Sequence, residues 1–65
     1  MMKTNNDKIK KLNKYFTKVE TNYKKAVKYF DDEEYDSCRT ELKLLQINIQ
    51  FLDILLSNLK ENLNE

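Results

Sequence analysis

The sequence predicts an all-α chain folded as an antiparallel two-helix hairpin, and three observations carry that expectation. Gly and Pro are both absent from all 65 residues, which removes the usual residues of tight β-turns and of helix breaks. Apolar residues recur at alternating spacings of 3 and 4 through both halves of the chain, the seam of a helix that packs along another helix. That alternation slips once, at the acidic run Asp31-Asp32-Glu33-Glu34.

The first seam runs Ile9, Leu12, Phe16, Val19, Tyr23, Ala26 and Phe30 without a miss, and predicts a helix over about 5–30. Thr4 with Asp7 has the spacing of a weak N-terminal cap. Continuing this heptad would place the next position equivalent to Phe30 at Ser37, whereas the second seam begins at Tyr35. The helix must therefore break near residues 31–34.

Carboxylates gather where they offset the positive end of a helix dipole, so the acidic run marks the start of a second helix. Asp31 or Asp32 is the expected N-cap, Asp31 with Glu34 has capping-box spacing, and Phe30 with Tyr35 has the spacing of a hydrophobic staple. The second seam is Tyr35, Cys38, Leu42, Leu45, Ile49, Leu52, Leu56, Leu59 and Leu63, predicting a helix over about 33–63. So short a turn forces the two helices antiparallel. The expected layers set Phe30 near Cys38, Ala26 near Leu42, Tyr23 near Leu45, Val19 near Ile49, Phe16 near Leu52, Leu12 near Leu56 and Ile9 near Leu59. A single continuous helix in a parallel coiled coil is the competing architecture, with the slip absorbed as a stutter.

With that seam facing the first helix, the second helix keeps an excess stripe of Leu44, Ile47, Phe51 and Ile54, with Leu55 beside them. A helix apolar on nearly every side is one buried on every side. Leaving five such side chains in water forgoes about 7 to 15 kcal/mol, comparable to the whole stability of a domain. A single domain spanning 1–65 is also small enough to bury only about 60% of its unfolded surface. Cys38 is the only cysteine and His is absent, so neither a disulfide within the chain nor a zinc site offsets that deficit. Association does, and pairing of two hairpins into a four-helix bundle is its simplest form. The rival partner for the stripe is a groove on a different protein.

Net charge is only +1, but it is unevenly spread. Residues 1–30 hold nine Lys against Asp7 and Glu20, a balance of +7, and residues 31–65 hold three basic against nine acidic residues, a balance of −6. On the first helix Lys3, Lys10, Lys11, Lys14, Lys18, Lys24, Lys25 and Lys28 fall on the side away from the seam, forming a ridge about 37 Å long. Such a ridge can track phosphates, with Tyr15 and Tyr29 at its edge placed to stack on bases. It also has the plainer reading of a solvated helix face. The ridge contains no Arg, the residue of bidentate base recognition, so any binding to nucleic acid is expected to follow shape and charge.

Two resemblances accompany these residues. The segment Ala26-Val27-Lys28-Tyr29-Phe30-Asp31-Asp32-Glu33-Glu34-Tyr35 resembles the helix-turn-helix junction of tetratricopeptide-type repeats, but it occurs once and implies only a hairpin turn. In architecture alone, the chain is similar to the plasmid repressor-of-primer family, short helical hairpins with an acidic turn that pair into RNA-binding four-helix bundles. No motif is shared residue by residue.

The residues argue against catalysis. Without His, with acids gathered on a turn and with Cys38 in a seam position, general acid-base and thiol chemistry lack their usual setting. The acidic run lacks the glycine and ligand spacing of a calcium loop. No metal, cofactor or small-molecule substrate is expected, and no apolar run approaches the roughly 18 residues of a membrane span. The expectation is a cytoplasmic, non-enzymatic interaction module, acting as adaptor, inhibitor or regulatory subunit, of a size and composition that suit a phage or mobile-element protein. Its alternative is a nucleic-acid-binding regulator that uses the Lys ridge.

Overall fold

The computed structural model describes the backbone of residues 2–64 and the side chains of residues 7–61. Two α-helices of equal length, α1 (Met2–Asp31) and α2 (Tyr35–Asn64), fold back on each other as an antiparallel hairpin. Its Cα trace measures 49 × 15 × 10 Å. The predicted break, helix count and antiparallel pairing are all present, and the single continuous helix is not. Helix α1 begins earlier than expected, so Thr4 lies inside it and is not its cap. The side chains of Lys3, Thr4 and Leu63 lie outside the described residues.

The turn differs from its predicted chemistry. Helix α1 closes with a Schellman arrangement: the Glu33 N–H donates to the Phe30 carbonyl at 3.0 Å and the Glu34 N–H to the Tyr29 carbonyl at 2.8 Å. This geometry needs a left-handed residue just past the helix, and Glu33 takes it with φ of 61° in the absence of any glycine. The Glu34 carbonyl then accepts the first bond of α2, from the Cys38 N–H at 3.0 Å, which makes Glu34 the N-cap. Asp31 ends α1 and Asp32 follows it, so neither caps α2; Asp36 is the acid in its first turn. The expected contact between Phe30 and Tyr35 is made, with ring centroids 6.2 Å apart.

The largest correction concerns which faces meet. Leu12, Ala26 and Leu52 are the buried apolar residues among those described. The positions that alternate with them across the interface are Tyr15, Asn22 and Tyr29 on α1, and Glu41, Asn48 and Leu55 on α2, all half-buried. Ile9, Phe16, Tyr23 and Phe30, expected at those positions on α1, are exposed instead, as are Tyr35, Leu42, Ile49 and Leu56 on α2. Each helix is thus rolled by roughly half of one 100° residue step from its predicted orientation. Leu12, Val19 and Ala26 serve both orientations, as do Cys38, Leu45, Leu52 and Leu59, so the shared half of each seam stays inside.

The roll brings polar groups into the interface, and they satisfy one another. The Asn48 Nδ2 donates to Asn22 Oδ1 at 2.7 Å, and the Asn22 Nδ2 donates to Glu41 Oε1 at 3.0 Å. Among the described residues, no buried side-chain nitrogen or oxygen lacks a partner. A connected polar layer of this kind costs far less than isolated buried groups would.

Candidate functional site

Rolling the helices divides the exposed apolar residues between two faces of the hairpin. The first is a groove between the helices, lined on α1 by Ile9, Phe16, Tyr23, Val27 and Phe30 and on α2 by Leu42, Ile49 and Leu56, with Tyr35 at its turn end. Near the turn, Tyr23, Ala26, Val27, Phe30, Cys38 and Leu42 together line one apolar depression. Farther along, heptad spacing holds the remaining residues on the same side. Phe16, Tyr23 and Phe30 are 51, 60 and 62 % exposed. These are large rings to leave beside water.

The groove was hidden in the sequence because its residues read as ordinary core. Its rim is short of charge of one sign: Asn13 and Glu20 border it on α1, and Arg39, Gln46, Asp53 and Lys60 on α2. None of the α1 lysines with a described side chain falls on this side.

The second face carries the stripe singled out from the sequence. Leu44, Ile47, Phe51 and Ile54 are all exposed along α2, as expected. Leu55 is not part of it, because the roll turns this side chain half-buried into the hairpin interface. The opposite wall of this face is the lysine side of α1. At its open end Lys8, Lys11, Leu55, Asn58 and Glu61 line a recess of mixed polarity.

The predicted ridge lysines Lys10, Lys11, Lys14, Lys18, Lys24, Lys25 and Lys28 are all exposed. Lys24 pairs with Glu20 one turn before it, at 3.6 Å, an exposed contact of small energetic weight. The two tyrosines expected beside the ridge are placed differently. Tyr15 turns inward and packs its ring 5.6 Å from that of Phe51, with the Lys18 ammonium 4.8 Å from its centroid. Tyr29 is also half-buried.

Cys38 is a free, half-buried thiol on the wall of the groove, packed as a small apolar side chain. Among the described residues, no helix is long and apolar enough to cross a membrane. No protein-family model matches the chain, and neither a curated protein nor a solved structure is significantly similar to it.

Proposed function

We propose that this chain is a protein-interaction module, an adaptor, inhibitor or regulatory subunit, whose hairpin pairs through the inter-helix groove with a second copy to form a four-helix bundle. The observation that carries this reading is the exposure of apolar side chains from Ile9 to Phe30 and from Leu42 to Leu56 on a chain with three buried apolar residues among those described. Aromatic side chains offer about 200 Å² each, and at the fractions left open here the groove presents on the order of 800 Å² per copy. That is the area one partner contributes to a stable, standard-sized interface.

A second copy suits the groove better than it suits the stripe. The groove rim mixes Arg39 and Lys60 with Glu20 and Asp53, so it is close to neutral and can face itself. Two-fold pairing with the turns at opposite ends keeps each acidic turn, Asp31 to Glu34, at the far end of the bundle from the other copy's. Placing the turns together would stack two acidic clusters within a Debye length of about 8 to 10 Å.

Paired charge insertions test this reading. Phe16→Glu with Ile49→Glu should halve the sedimenting mass, while Ile47→Glu with Ile54→Glu on the outer stripe should leave it at two chains. Loss of the dimer only in the second pair would assign the interface to the stripe instead.

One observation favours a second reading. The seven ridge lysines form an exposed basic face with a single ion pair among the described residues, which suits a nucleic-acid-binding regulator. Under that reading, oligonucleotide affinity falls steeply with added salt. It also disappears when Lys14, Lys18 and Lys25 are changed to Glu, and affinity that survives this triple change excludes the ridge. Tyr15 and Tyr29 are half-buried, which weighs against base stacking, and this reading ranks second.

A further inference from the structure

We infer that the face formed by the α2 stripe and the lysine side of α1 binds an acidic amphipathic helix of another protein. This inference rests on the chain being an interaction module, but it uses residues on the face opposite the groove, which the proposed dimer leaves free. Leu44, Ile47, Phe51 and Ile54 are spaced 3, 4 and 3 along α2 and are 43 to 50 % exposed. They form a row about 15 Å long, matched to the i, i+3, i+7 anchors of a docking helix.

The roll of the two helices supplies the specificity. Lys11, Lys18 and Lys25 repeat every seven residues along α1, on the side that faces this stripe. The contact of Tyr15 with Phe51, and the position of Lys18 over Tyr15, fix the relation of the two rows. None of the three lysines enters an ion pair among the described residues. The far border of the stripe is Lys43, Gln50 and Ser57, with a single cation at one end. Cations therefore lie mainly on the α1 side, three against one. A partner helix that places apolar anchors on the stripe would set its carboxylates along a single flank, opposite the lysine row. A membrane surface is a poorer match, because helices lying in a bilayer interface are rich in lysine across the whole polar face, whereas α2 beyond this stripe carries few.

The test uses a synthetic three-heptad helical peptide with Leu anchors and Glu along one flank, together with a twin carrying Lys in place of each Glu. Binding to the intact protein is followed by fluorescence anisotropy at low and high salt. The acidic peptide should bind at least about tenfold more tightly than its twin, the sum of a few modest ion pairs. That preference should vanish in the Lys11→Glu, Lys18→Glu, Lys25→Glu protein, and Phe51→Ala should weaken both peptides while leaving the dimer mass unchanged. Equal binding of the two peptides would overturn the inference, as would binding of neither. Capture by vesicles containing phosphatidylserine with no peptide binding would also overturn it, assigning the face to a lipid surface. A monomeric protein that still prefers the acidic peptide would remove the proposed dimer and keep this inference.

Discussion

Asn48 donates a 2.7 Å hydrogen bond to Asn22 across the middle of the hairpin, at positions where a two-helix interface ordinarily places Leu or Ile. With the Asn22 bond to Glu41 at 3.0 Å, it forms a polar layer between Leu12 and Leu52 on one side and Ala26 on the other. A polar layer in an apolar seam costs stability and gains register, because any other alignment leaves its amides without partners.

Changing Asn48 to Ala should therefore lower stability by about 1 kcal/mol, the part-exposed site softening the penalty for the unpaired Asn22 oxygen. Replacing Asn22 and Asn48 together by Leu should raise it above the native value, since both amides are removed at once and the part-exposed Glu41 carboxylate can turn to water. Urea unfolding of the three proteins checks this. A double variant weaker than the single one would contradict the assigned role.

Glu33 holds a left-handed conformation with φ of 61° that costs a non-glycine residue about 1 to 2 kcal/mol. Glu33→Gly should stabilise the protein by about 0.5 to 1 kcal/mol, after the added flexibility of the unfolded chain is deducted. Glu33→Ile should destabilise it, because a β-branched side chain resists this region more strongly. Thermal unfolding reads both changes, and equal midpoints for the two variants would mean that the turn is not held in this form.

Leu12 and Leu52 are each 6 % exposed and lie in the small buried core. Truncating either to Ala should cost about 2 to 3 kcal/mol, enough to unfold much of a domain this small. If folding draws on a second copy, the loss should be recovered by raising protein concentration, because association stabilises the folded state by mass action. Circular dichroism melts over a wide concentration range should then shift upward. Melts independent of concentration would contradict coupling of folding to assembly.

How much of this was legible in the sequence depends on which degree of freedom is asked about. Helix content, the single break and the antiparallel pairing were readable, because absent Gly and Pro, a phase slip and an acidic run all act locally. The roll of each helix about its own axis was not. Leu12, Val19 and Ala26 anchor one seam through Phe16 and Tyr23 and another through Tyr15 and Asn22, and the spacing of 3 and 4 is the same for both. The first is the more apolar, and it is the one to expect if the hairpin interface is the only place to hide an apolar side chain, whereas the structure puts the polar residues in the two-helix seam and leaves the rings to the groove.

The outer stripe was readable for the complementary reason. Leu44, Ile47, Phe51 and Ile54 lie outside either seam, so a modest roll leaves them exposed. Leu55 sits at the border between stripe and seam, and the roll carried it inside. The nearness of Lys18 to this stripe depends on the packing of α1 against α2, and no pattern within one helix encodes it. The N-cap was misplaced for a similar reason: in a run of four acids the choice among Asp31, Asp32 and Glu34 is made by the Schellman closure of the preceding helix, which few sequences form without glycine.

The account depends most on the groove being covered by a second copy, and the mass of the purified protein in solution tests that most directly. Light scattering at rising concentration, at low and at high salt, should give twice the 7.9 kDa chain mass, stable against salt because the contact is mainly apolar. A helical, cooperatively folded species of one chain across the same range would contradict it.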